Sequence, residues 1–220
     1  MYNRPRALIF DLNGTMINDM SFHIKEWTKI LNEDLQAGLT DEQVKVQMYG
    51  KNSELLIRVF GEGKFSEEEM QFWSMEKERR YQKAYKPHMH LINGLEDFLK
   101  SAYEKEMPMA IGSAAIMFNI DFILDELNIR KYFTAVVSAD DVVISKPNPE
   151  TFVKAARLMN VEPSDCLVFE DAPKGVEAAK NAGMSCVVLT TMHTRNEFPA
   201  SDHIAVFIED YTDPFILSLL

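Results

Sequence analysis

Short apolar runs organise this chain. The first, Ala7-Leu8-Ile9-Phe10, ends in Asp11 with Gly14 just beyond it, a length that suits a strand buried on both faces, as in a parallel sheet. Similar runs recur at 107–111, 135–137, 167–169, 187–189 and 204–208. Between most of the later ones lie helical patterns: Leu95/Phe98/Leu99/Ala102, Ile120/Ile123/Leu124/Leu127 and Phe152/Ala155/Ala156/Met159 each place apolar residues three and four apart. The segment 175–182 is alanine-rich, and Gly183 falls where a helix C-cap belongs. Strands alternating with helices predict an α/β fold, a Rossmann-like parallel sheet with helices on both faces.

Residues 19–86 break the alternation. They read as helix after helix, over 22–32, 41–48, 53–60 and 66–85, the last opened by a capping-box pattern at Ser66-Glu67-Glu68-Glu69. This predicts an inserted all-helical domain over 19–86, with the α/β domain built from 1–18 and 87–220. The charged run 76–80 on the last helix reads as a solvent face.

Composition narrows the function classes. Against 23 basic residues stand 34 acidic ones, a formal net charge of −11. A protein that binds nucleic acid neutralises phosphates with Lys and Arg, and one that docks on anionic lipid does the same, so neither partner is expected. Small anionic substrates stay possible, because a local cluster of cations can oppose the global field. Cys166 and Cys186 sit inside apolar runs without metal-ligand or redox spacing and read as buried free thiols. With no signal-like start and no run long enough to span a bilayer, the expectation is a cytoplasmic protein. A monomer is expected.

In an open parallel sheet, ligands bind beyond the carboxyl ends of the strands. Those ends give a short list: Asp11 with Asn13, then Ser113, Lys146, and Glu170 with Asp171. The set suits phosphoryl transfer. A carboxylate can attack phosphorus to form an aspartyl phosphate, and because anion then meets anion, a cation must lie between them. Mg²⁺, held by one or two carboxylates, suits Asp171 and Glu170 opposite Asp11. Ser113, Lys146 and the amides around Asn13-Gly14 would stabilise the charge on the transferring oxygens. Each element also has a plainer reading. Asp11 could be a turn former, Glu170-Asp171 could cap the next helix, Lys146-Pro147-Asn148-Pro149 could be a rigid helix-initiating loop, and Ser113 a loop hydroxyl.

Taken in order, four motifs resemble the haloacid dehalogenase-like superfamily, in the subgroup of β-phosphoglucomutase and small sugar-phosphate phosphatases. They are Asp11-Leu12-Asn13-Gly14-Thr15, Ile111-Gly112-Ser113-Ala114, Ser145-Lys146-Pro147-Asn148-Pro149-Glu150, and the run from Phe169-Glu170-Asp171-Ala172-Pro173-Lys174-Gly175 to Ala179. The resemblance spans the whole chain. It implies that Asp11 is the nucleophile, that Ser113 and Lys146 hold the phosphoryl group, and that Mg²⁺ is held by Asp11, Glu170, Asp171 and the backbone carbonyl of Asn13. It also implies that the helical block covers the site. Asp19, His23, Gly50, Lys51 and Lys77 then fall near substrate-facing positions, as does Ala114 beside Ser113.

At Asn13 the chain departs from that pattern. Phosphatases and mutases of the family carry Asp there, which protonates the leaving oxygen and then activates water. An amide cannot exchange a proton near neutral pH, and acid–base catalysis is worth about 10²–10⁴-fold. Three explanations stay open: a leaving group that departs unaided, such as an acyl phosphate or pyrophosphate; a substitute acid such as His23; or a catalytically weakened protein that binds phosphate ligands. The arginine with which the mutase anchors a second phosphate has no counterpart in Gly50-Lys51-Asn52-Ser53. The expectation is therefore a Mg²⁺-dependent phosphatase for a small phosphorylated metabolite such as a sugar phosphate, with a sugar-phosphate mutase as the alternative.

Overall fold

The computed structural model describes residues 4–220. Its elements run β1 (Ala7–Phe10), α1 (Met20–Lys29), α2 (Asp41–Lys45), α3 (Asn52–Phe60), α4 (Glu67–Tyr85), α5 (Leu95–Glu104), β2 (Met109–Gly112), α6 (Met117–Glu126), β3 (Ala135–Val137), α7 (Glu150–Leu158), β4 (Cys166–Glu170), α8 (Pro173–Asn181), β5 (Ser185–Leu189), β6 (Ile204–Ile208) and α9 (Pro214–Ser218). No helix of the described residues is long and apolar enough to cross a membrane.

The six strands form one parallel sheet in the order β3-β2-β1-β4-β5-β6. Leu8 pairs with Met109 on one side and Leu167 on the other, so β1 lies at the centre and all four of its residues are buried. The chain builds outward from β1 through β2 to β3, then returns to lay β4 on the opposite side. The order therefore reverses between β1 and β4, and the ligand crevice of such a sheet opens at the carboxyl ends of those two strands.

Alternation along each strand fills the two faces of the sheet. On one, Ile9 and Val168 pack with Phe152, Ala155 and Ala156 of α7 and with Val176 and Ala179 of α8. On the other, the Phe10 and Phe169 rings stack at 4.6 Å, joined by Phe98 of α5 and by Tyr211. Small alanines let α7 and α8 approach closely, while the aromatic rings fill the opposite face.

Asp19–Met89 form a second compact unit, apart from the one built of the chain up to Asn18 and His90–Leu220. Its apolar core gathers Trp27, Ile30, Leu31, Val44, Leu55 and Leu56. Within this unit a 3₁₀ turn, Lys86–His88, follows α4, and the His88 ring packs 5.4 Å from Phe22. Two helices differ from the sequence expectation. The first starts at Met20 and continues as a π-helical turn to Asp34, and the second stops at Lys45.

Candidate active site

Asp11 follows β1 directly. Its amide donates to Phe169 O at 2.9 Å, so the ladder that pairs β1 with β4 also brings Asp11 beside Glu170 and Asp171. One oxygen from each of the three buried carboxylates falls within 4.8 Å of the others. From the loop before α7, Lys146 sends its Nζ to Asp11 Oδ1 at 2.7 Å and Glu170 Oε1 at 2.8 Å, and its ammonium lies 4.5 Å from the centre of the Phe152 ring. Burial alone would lower the Lys146 pKa, but the charges and hydrogen bonds of Asp11 and Glu170 outweigh it and hold the pKa above the ordinary lysine value. For Asp171 the balance is opposite. Burial, then the neighbouring charges of Glu170 and Asp11, push its carboxyl well above the usual range. Three carboxylates against one ammonium make a centre short of positive charge, and its hard oxygen donors are the kind that Mg²⁺ takes.

Glu170 serves three neighbours. Oε1 accepts from Lys146 while Oε2 accepts from the amides of Asp171 and Ala172, each at 2.8 Å. It thus ties the two amides that precede α8 to the lysine.

The loop after Asp11 is braced on several sides. Gly14, at φ +79°, sits so close that a Cβ there would lie 2.1 Å from Asp171 Oδ2. Thr15 Oγ1 donates to Asp171 Oδ1 at 3.3 Å, Thr191 Oγ1 donates to Gly14 O at 2.6 Å, and Tyr211 OH donates to Thr15 O at 3.0 Å. Asn13, half-buried, bridges to Ile17 within this loop. Ser113 stands at the end of β2, buried, its amide donating to Val137 O and its Oγ accepting from Ala115 N. Ala114, next to it, is exposed.

The helical unit carries its own charged centre. Asp19 precedes α1, and its Oδ2 lies 3.2 Å from His23 Nε2 and accepts from the Tyr81 hydroxyl. The His23 and Tyr81 rings stack at 3.7 Å. Burial first, then the Asp19 charge, drives the Tyr81 pKa far up. His23 Nδ1 is 2.6 Å from Lys77 Nζ, which also reaches both oxygens of Glu78 at 3.0 Å. Lys77 and Glu78 are therefore buried, which corrects the reading of 76–80 as a solvent face: α4 turns these two inward, while Arg80 pairs outward with Asp34 and Glu76. Gly50 and Lys51 belong to a loop gripped by α3. Arg58 donates to the carbonyls of Gln47 and Tyr49, and Glu54 Oε2 accepts the Lys51 amide at 2.9 Å. The link from this loop to the buried centre is Asn52, whose Nδ2 donates to Glu78 Oε1 at 2.6 Å.

Sequence reasoning missed Thr15, Thr191, Tyr211 and Gly175 around Asp11, and Asn52, Glu78 and Tyr81 in the helical unit. Thr15 and Gly175 stood inside quoted motifs, and Thr191 lies just past the carboxyl end of β5, where the strand-end rule could have found it.

Residues 8–189 match the sequence profile of the family described as haloacid dehalogenase-like hydrolase. The fructose-1-phosphate phosphatase YqaB of Escherichia coli is 33% identical over 188 residues, covering 85% of this chain and 97% of its own. The β-phosphoglucomutase of Bacillus subtilis is 31% identical over 192 residues, covering 83% and 82%. Among solved structures, a family IA hydrolase from Entamoeba histolytica superposes with a TM-score of 0.86 over 97% of this chain and 96% of its own, at 22% identity, a likeness of fold.

Proposed function

Since the chain belongs to the haloacid dehalogenase-like hydrolase family, we propose that it is a Mg²⁺-dependent phosphatase of small phosphorylated metabolites, the class to which sugar phosphates belong. Asp11 is the nucleophile in this reading. Its carboxylate attacks phosphorus and forms an aspartyl phosphate, which water then hydrolyses. Lys146, held charged, offsets the repulsion between the attacking carboxylate and the phosphoryl oxygens, and Ser113 donates to those oxygens. Asp11, Glu170, Asp171 and the carbonyl of Asn13 would hold Mg²⁺, which when bound supplies positive charge between nucleophile and phosphoryl group. Asp19, His23, Gly50, Lys51, Lys77 and Ala114 select the substrate. The enzyme works as a cytoplasmic monomer.

One observation carries this reading: Asp11, Lys146, Glu170 and Asp171 converge at the point where the strand order reverses. Arg58 favours hydrolysis over mutase chemistry, because its guanidinium is engaged by the loop's own carbonyls. The test is phosphate release from a panel of phosphorylated metabolites, with Mg²⁺ and with a chelator. Release that needs Mg²⁺ and is lost in Asp11→Asn supports the proposal. Isomerisation of a sugar phosphate without release would make the chain a mutase, and saturable binding without turnover would make it a binding protein.

A further inference from the structure

A lysine ammonium rides on a flexible four-carbon stem, so it keeps one position only where the backbone that carries it is also fixed. The Lys146 side chain is 8% exposed, its Nζ reaches Asp11 Oδ1 and Glu170 Oε1, and the Phe152 ring lies against it. Its backbone belongs to the connection between β3 and α7, to neither element itself.

Apolar packing does not fix that connection. Val142 joins the core at its start, but the next two residues turn away: Val143 is 83% exposed and Ile144 56%. Hydrogen bonds hold it instead. The amides of Val143 and Ile144 both donate to one oxygen of Glu150, Oε2, at 3.1 and 3.2 Å. Glu150 is the first residue of α7, and Phe152, Ala155 and Ala156 of that helix are buried in the core, so the core sets where Glu150 stands. The Glu150 amide in turn donates to Asn148 Oδ1 at 3.0 Å, and Asn148 N donates to Ser145 O at 3.1 Å. Glu150 therefore grips the chain on both sides of Lys146. From α8, Asn181 Nδ2 adds one bond to Pro147 O at 3.0 Å. Of these contacts, the two to the Glu150 carboxylate are charge-assisted, the stronger kind.

We infer that Glu150 is the positioning residue for Lys146: its carboxylate fixes the backbone at 143 and 144, and so brings the lysine Nζ to Asp11 and Glu170. It acts on the lysine through the chain. The inference rests on the phosphatase reading only for the role given to Lys146; the positioning itself can be tested without turnover.

The first arm of the test is brief labelling of the folded protein with acetic anhydride, read by peptide mass spectrometry. It follows Lys146, with the buried Lys77 of the helical unit as internal reference. In Glu150→Ala, Lys146 should label about tenfold faster than in the wild type while Lys77 is unchanged, the mark of one segment opening locally. Glu150→Gln keeps an acceptor oxygen at the same reach and should label as the wild type does. In the second arm, kcat for 4-nitrophenyl phosphate with Mg²⁺ should fall about tenfold in Glu150→Ala and recover in Glu150→Gln. Lys154→Met removes a different tie of the same helix, to Asp141, and should leave kcat unchanged. Unchanged labelling of Lys146 in Glu150→Ala overturns the inference. So does faster labelling of Lys146 and Lys77 together, which is general loosening. Faster labelling of Lys146 alone with kcat unchanged would keep the positioning and overturn the role that the phosphatase reading gives this lysine. A wild type without turnover would count against that reading, and the labelling would still decide the inference.

Discussion

A methyl group on Gly175 would stand 1.6 Å from Oε1 of Glu170, the oxygen that holds Lys146. The bare first turn of α8 is thus what lets the carboxylate lie back over the helix and reach the lysine and two amides together.

Gly175→Ala is accordingly expected to disturb the site. Within a helix the exchange ordinarily stabilises by roughly 0.5–1 kcal/mol. Here it should lower the melting temperature and, by displacing Glu170 and with it Lys146, lower kcat by about 10²-fold. Thermal unfolding and steady-state kinetics check both. A variant with a higher melting temperature and unchanged kcat would show that the close approach does not matter.

Asp171 sets a second expectation. Its folded pKa is raised above the unfolded value of about 3.9, first by burial and then by Glu170 and Asp11. A raised pKa contributes stability that is present below the unfolded value and lost as pH rises through the folded one. In chelator at neutral pH the ionised group is thus a burden, and Asp171→Asn should melt higher than the wild type, the gap narrowing as pH falls towards about 4. Mg²⁺ should stabilise the wild type more than the variant. A wild type that melts higher in chelator at every pH would contradict this.

Lys77→Met should destabilise the helical unit by about 3–5 kcal/mol, because it leaves the buried Glu78 carboxylate without its ammonium. Adding Glu78→Gln removes the orphaned charge, and the double variant should recover most of the loss. Denaturant unfolding of the two single variants and the double closes the cycle. Additive losses would mean that the two side chains do not depend on each other.

The sheet and the placement of polar side chains at its strand ends were legible because both are local in the sequence. Ala7-Leu8-Ile9-Phe10 is apolar throughout because β1 is buried on both faces, and Asp11, Ser113, Glu170 and Asp171 stand where such strands stop. The buried pair on α4 was not legible. Lys77 and Glu78 sit in a run of charges, and what turns them inward is His23 and Asn52, partners from other helices. Thr191 and Tyr211 escaped for the same reason: each braces the loop after Asp11 from far along the chain. The extent of α2 was misread because the stretch after Lys45 is held as a loop by Arg58, a contact that local periodicity does not encode.

The account turns on a covalent bond at Asp11. Acid quench of the enzyme during turnover of acetyl phosphate with Mg²⁺, followed by peptide mass spectrometry, tests it most directly. The expected result is a phosphoryl group on the peptide containing Asp11 and on that side chain, absent when Mg²⁺ is chelated. Continued phosphate release with the phosphoryl group on another residue, or on none, would contradict it.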